Sequence, residues 1–133
     1  MEEKEPGFIR VVAAIIKKDD KYLITRRGPS THLEGLWEFP GGKIEPGETA
    51  EESLMREIKE ELDITIRVSE FFMENNHHYP TKKITLIAYF CEITKGEITL
   101  KDHDKFEWIS REQFESFEFA PADIPFVKAL QKL

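Results

Sequence analysis

Three glutamates, Glu57, Glu60 and Glu61, stand at i, i+3 and i+4 of one stretch, which gathers them within roughly 100° of a helix circumference. Like charges so close destabilise an isolated helix unless a cation sits among them. Oxygen ligands in that density suit a hard divalent ion, Mg²⁺ or Mn²⁺. For a bare Glu-x-x-Glu-Glu the competing reading is an ordinary solvated acidic face. Here a glycine-rich segment from Gly42 to Glu48, and then Arg56, precede the glutamates at fixed distances.

The helix that must carry them is marked at both ends. Thr49 with Glu52 three residues on has the form of a capping box, so the helix starts there. Ala50, Leu54, Ile58 and Leu62 recur at four-residue steps and predict the buried stripe. Asp63 falls just past the end, where the backbone is often left-handed and glycine is favoured. Asp tolerates that conformation at a cost of about 1 kcal/mol against Gly. The expectation is a less stable turn with the acidic cluster intact.

Around the helix the chain reads as strands. Phe8 to Lys18 is β-rich, and Asp19-Asp20 turns it into Tyr22 to Thr25 as a hairpin. Leu36 to Phe39 is a short strand stopped by Pro40. Ile64 to Phe72 reads as a strand and Glu74 to Pro80 as a polar turn, with His77 and His78 as turn histidines. Ile84 to Ile93 is nearly all apolar or β-branched, as in a central strand. Lys95-Gly96 turns it into Glu97 to Leu100, and Phe106 to Ile109 is the last strand. Ser110 has the form of an N-cap for Arg111 to Phe117, and Pro125 begins a terminal helix over Phe126 to Lys132. The result is an α/β protein with a curved mixed β-sheet between the acidic helix and a C-terminal helix.

The 133 residues suit a single domain, 1–133, with Met1 to Gly7 as a flexible acidic tail rather than a signal peptide. No apolar run approaches a membrane span, and Cys91 is alone in an apolar stretch, a small buried hydrophobe. A soluble, cytoplasmic monomer is expected. With 26 acidic against 19 basic residues the net charge is −7, which disfavours duplex nucleic acid as a partner. A small polyphosphate would also be repelled unless bound cations reverse the local field. Acidic helix and anionic ligand are compatible only through metal.

A Gly, five residues, a Glu, seven residues, then Arg-Glu-apolar-x-Glu-Glu-x-Gly-apolar is the signature of the Nudix hydrolases. The stretch from Gly42 to Ile64 resembles it at every position except Asp63, where the family has glycine. From Val11 onward the chain is similar to the MutT-like branch, through Thr25 to Arg27, Leu36 to Gly42 and Pro121 to Pro125. The resemblance implies a Nudix α-β-α sandwich. It also implies cleavage of nucleoside triphosphates to monophosphate and pyrophosphate, by attack at the β-phosphorus, as nucleotide-pool sanitation.

By that resemblance Glu57, Glu60, Glu61 and the carbonyl of Gly41 hold Mg²⁺ or Mn²⁺. The metal neutralises the triphosphate and acidifies a bound water. The general base is Glu57, oriented by Arg56, or Asp102; Asp102 reads equally as a plain loop acid. Glu48 and Arg56 form a structural ion pair tying loop to helix. Arg27, Lys43 and Lys82 are cations that could meet phosphates, with solvent-exposed roles as the alternative for Arg27 and Lys82. Base recognition falls to Phe39 and Asp123. An ionised Asp only accepts hydrogen bonds, favouring an exocyclic amine as on cytosine, unless it is protonated. The substrate therefore stands open between 8-oxo-dGTP and CTP or a modified dCTP. A non-catalytic nucleotide sensor and a hydrolase of another nucleoside diphosphate derivative such as ADP-ribose are the alternatives. A phosphate-binding NTPase loop fails, because Ile44 follows Lys43 where Ser or Thr is needed.

Overall fold

The computed structural model describes residues 7–133, so the expected tail lies almost wholly outside the described residues. Strands β1 (Phe8–Lys18) and β2 (Lys21–Arg27) form the hairpin, with Asp19 and Asp20 both at positive φ as its turn requires. Then come β3 (Trp37–Glu38), β4 (Gly41–Lys43), helix α1 (Ala50–Leu62), β5 (Thr65–Tyr79), β6 (Lys82–Lys95), β7 (His103–Ile109) and helix α2 (Ile124–Gln131). Short 3₁₀ turns at Arg111–Ser116 and Pro121–Asp123 precede α2.

The sheet runs β3-β2-β1-β6-β5, with β4 paired to β1 and β7 to β2. It is mixed, since β1 and β6 are parallel from Phe8↔Lys83 to Ile16↔Cys91 while the other pairings are antiparallel. Both faces of β1 and β6 are covered. Ala13, Ile15, Leu86 and Ala88 pack with Phe126 and Leu130 of α2. Val12, Ala14, Ile16 and Ile87 pack with Leu54, Ile58 and Leu62 of α1. A strand buried on both faces reads as a continuous apolar run, which explains the composition of β6. The three α1 anchors are fully buried, each contributing about 1.5–3 kcal/mol.

Both ends of α1 form as the local sequence dictates. Thr49 Oγ1 accepts from Glu52 N–H at 3.0 Å and Glu52 Oε1 accepts from Thr49 N–H at 2.9 Å. Asp63 adopts φ 57° and ψ 36°, and its N–H donates to the Lys59 carbonyl. Its carboxylate meets Lys59 at 3.2 Å, but both side chains are exposed, so that pair offsets little of the strain. Asp63→Gly is therefore expected to stabilise the fold by roughly 0.5–1 kcal/mol, raising the thermal midpoint by a few degrees. A lower midpoint in differential scanning calorimetry would show that the Lys59 contact outweighs the backbone strain.

Several local expectations differ. Residues 74–79 are not a turn but the second half of β5, paired with β6 as far as Tyr79↔Lys82. Their polarity reflects an edge strand facing water, and the turn shrinks to Pro80 and Thr81. His77 and His78 are accordingly strand residues, the first against Tyr79 and the second against Phe8. The glycine-rich segment starts as strand β4 rather than loop. Glu97 to Leu100 makes no strand; Ile98 and Leu100 pack on the α1-side core and Thr99 N–H donates to the Leu62 carbonyl at 2.9 Å. Arg111 to Ser116 is a 3₁₀ turn rather than an α-helix. Among the described residues no helix is long and apolar enough to cross a membrane.

Candidate active site

Strand β4 passes directly over the acidic face of α1. A Cβ at position 42 would lie 2.2 Å from Glu57 Cδ, so any other residue there would push that carboxyl aside. Behind it, Arg56 is the hub. Its Nε and Nη2 donate to the two oxygens of Glu48 at 2.6 and 2.9 Å, a bidentate pair. Nη2 also reaches the Lys43 carbonyl at 3.2 Å, and Nη1 donates to Glu57 and Glu60 at 3.1 Å each. Hydrogen bonds from Arg56, then a backbone bond within the Glu45 turn, hold the Glu48 carboxyl down at about 2. A depressed carboxyl stabilises the fold above its unfolded value of 4.5, and that contribution is lost as pH falls towards 2.

Glu57 is in contact with Glu61 and shares Arg56 Nη1 with Glu60. Glu60 is half exposed and paired to Arg56, and among the described residues no three acidic, His or Cys side chains converge as a ready-made ligand group. Helical spacing brings the backbones together; the guanidinium between Glu57 and Glu60 decides where their carboxyls go. Glu61 turns instead into a cleft. Burial first, then the nearby charges of Glu38, Glu57 and Asp102, push its carboxyl up to about 8. Burial likewise raises Glu57, against the pull of Arg56.

This donor set fits a hard divalent cation. It offers oxygen only, and it is crowded with negative charge that raises its own proton affinity. The sheet register adds a further oxygen. Ala14 N–H donates to the Pro40 carbonyl and Ile44 N–H to the Arg10 carbonyl, so Gly41, opposite Ala13, is a non-hydrogen-bonded pair. In that register the Gly41 carbonyl is not called on by the ladder to β1.

The cleft has a volume of about 240 Å³, and Glu61, Asp102, Gly41 and Gly42 line it together with Arg27, Glu38, Phe39, Lys82, His103 and Asp123. Lys82 is half-buried there, its ammonium pushed down by burial and by Arg27 and Lys43. Lys43 does not line the cleft; its side chain is exposed and its carbonyl serves Ser53 and Arg56. Arg27 donates through Nη1 to Glu38 at 2.9 Å and through Nε to the His32 carbonyl. Asp123 is buried, and its Oδ2 accepts from Phe39 N–H at 3.0 Å. Burial and the charge of Glu38 raise its carboxyl well above the usual range. Phe39 lines the cleft, but its ring is buried, stacked on Phe119 and edge-on to Phe114. Tyr79 Oη accepts from Ala122 N–H at 3.0 Å and Asn75 Nδ2 donates to the Ala122 carbonyl at 3.1 Å, pinning the segment that carries Asp123.

Glu38, His103, Tyr79 and His32 are cleft residues to which the sequence alone assigned no role. Glu38 lies inside a segment that carried the family resemblance, and that position was the available signal. The other three have none, because their places depend on strand pairing across the sheet.

The NUDIX domain family model matches residues 11–129. A CTP pyrophosphohydrolase of Escherichia coli (strain K12) is 38% identical over 126 residues, spanning 95% of this chain and 93% of its own. An 8-oxo-dGTP diphosphatase of the same strain is 34% identical over 126 residues, spanning 94% and 98%. Among solved structures, the solution structure of the E. coli ORF135 protein superposes with a TM-score of 0.82 at 36% identity, over 96% of this chain and 91% of that one. The crystal structure of a MutT protein from Methanosarcina mazei Go1 gives 0.86 at 25% identity, over 98% and 97%.

Proposed function

We propose that this chain, which belongs to the Nudix hydrolase family, is a metal-dependent nucleoside triphosphate pyrophosphohydrolase. It converts a (d)NTP and water into a (d)NMP and pyrophosphate. One observation carries the reading. A single cleft joins the raised carboxyl of Glu61 to a buried Asp123 that accepts from Phe39 N–H. Relatives named for CTP and for 8-oxo-dGTP support the same substrate class.

Glu57, Glu60, Glu61 and the Gly41 carbonyl are the residues that would hold Mg²⁺ or Mn²⁺. Bound there, the ion supplies charge neutralisation for the polyphosphate and acidification of a water. The chain does the rest. Arg56 fixes the Glu57 carboxyl by a 3.1 Å hydrogen bond, orienting it to take a proton from the attacking water. Asp102, also lining the cleft, is the second candidate for that proton. Arg27 and Lys82 bring positive charge to the phosphates. Phe39 and Asp123 receive the base.

A pH dependence follows from Glu61. Its folded value of about 8 exceeds the unfolded value of 4.5, so between them the folded chain holds a proton that the unfolded chain has released. Stability therefore falls as pH rises through that window. A cation must displace the same proton, so its binding strengthens across it. The Mg²⁺-induced rise in melting temperature is expected to be larger at pH 8.5 than at pH 6; a rise independent of pH would remove Glu61 from the ligand set.

The function is tested with a panel of (d)NTPs, 8-oxo-dGTP, modified dCTPs, ADP-ribose and dinucleoside polyphosphates, with products identified and chelator controls. Monophosphate and pyrophosphate from a triphosphate, abolished by chelator, are the expected result. Phosphate release, or turnover of ADP-ribose alone, would overturn the proposal.

A further inference from the structure

We propose that His103 is a positioning residue that couples the two halves of the cleft, holding Glu38 through Nε2 and facing Glu61 through Nδ1. The proposal rests on the metal-side role given to Glu61 above. The His103 side chain is only 6% exposed, and its Nε2 lies 2.8 Å from Glu38 Oε2. A carboxylate can only accept, so Nε2 carries the proton and donates. Glu38 is thereby clamped at both oxygens, with Arg27 on Oε1 at 2.9 Å.

The other ring nitrogen is left over. Among the described residues, Nδ1 of His103 is the buried side-chain nitrogen or oxygen with no hydrogen-bond partner. Such atoms are rare in folded proteins and ask for an explanation. The Glu61 carboxyl is 4.0 Å away, too far for a hydrogen bond. A water in that gap, donating one hydrogen to Nδ1 and the other to the Glu61 carboxylate, would complete the ring and hold the ligand oxygen in place. The fold invests in this placement. A β-bulge opposite Arg26 and Arg27 sets His103 against Arg27, and Asp104, the extra residue, is pinned by two 2.8 Å bonds from Arg26. On the other side Gly28 is indispensable, since a Cβ there would lie 2.2 Å from the Asp102 carbonyl oxygen. The ring thus lies between a substrate-side ion pair, which it contacts, and a metal-side carboxyl, which it faces.

The test compares His103→Ala, which removes both nitrogens, with His103→Gln, whose amide can still donate to Glu38. Mn²⁺ binding to the protein alone is measured by electron paramagnetic resonance. KM and kcat are measured with CTP or 8-oxo-dGTP, whichever is turned over, and folding by thermal melts. Loss of a partner behind a metal ligand weakens metal binding by roughly ten- to a hundredfold, and that loss is expected in both variants. KM should rise in the Ala variant and stay within about twofold of wild type in the Gln variant, because uniform binding through Glu38 is kept. Mn²⁺ affinity within about twofold of wild type in both folded variants would overturn the proposal, as would a lower melting temperature with unchanged affinity and KM. Glu61→Gln is the control. If it binds Mn²⁺ like wild type, the metal-side reading itself fails; if it is weakened while the His103 variants are not, only this inference fails.

Discussion

Glu57→Gln is expected to lower turnover of the nucleoside triphosphate by roughly 10²- to 10⁴-fold, the range for losing a positioned general base, with the fold retained. Position 57 is packed under Gly42, and glutamine preserves its shape there. Arg56 keeps its bidentate bond to Glu48, so the joint between β4 and α1 stays closed. What is lost is a carboxylate that burial has already raised, at the point where a proton must be accepted. Asp102→Asn separates the two candidates, since the larger fall in kcat at saturating metal identifies the base. Near-wild-type turnover of Glu57→Gln, with pyrophosphate still released, would refute the assigned site.

The second large effect concerns the base. Asp123 has one oxygen committed to Phe39 N–H, so only the other can read a ligand. Neutral, that oxygen can donate; ionised, it can only accept. Its raised proton affinity makes this choice depend on pH. Below its shifted value the carboxyl suits a carbonyl on the base, as in 8-oxoguanine. Above it, the carboxylate suits an exocyclic amine, as in cytosine. In Asp123→Asn the carbonyl takes the Phe39 N–H and the amide becomes a fixed donor. The ratio of kcat/KM for 8-oxo-dGTP over CTP should then rise by roughly ten- to a hundredfold, the worth of one charge-linked hydrogen bond, and should no longer change with pH. An unchanged substrate profile in the variant would remove Asp123 from base reading.

The elements that were legible in advance share a physical property: they are decided within a few turns of chain. The capping box at Thr49 and Glu52, the Leu54-Ile58-Leu62 stripe, and the left-handed Asp63 all depend on neighbours three to five residues away. The reach of Arg56 to Glu48 is longer, eight residues, but still local in the chain. Spacing on a helix is geometry, and it can be counted. Polarity alone does not separate a turn from a strand at the edge of a sheet. Residues 74–79 are polar because β5 is an edge strand, and edge position is a property of the sheet order.

The sequence by itself determined an acidic helix behind a glycine-rich approach, the α/β fold class and membership of a hydrolase family. Only the tertiary structure decided how the cleft is wired. His103 meets Glu38 across 65 residues and Phe39 meets Asp123 across 84. Those contacts follow from the β2–β7 register with its bulge, and from the bridge that seats Phe119 beside Trp37. No local periodicity encodes either, because pairing distant segments depends on which strands are neighbours and in what register. The acidic helix also changed in meaning. Its three glutamates share one face by spacing, yet the Arg56 guanidinium holds two of them while the third lines the cleft.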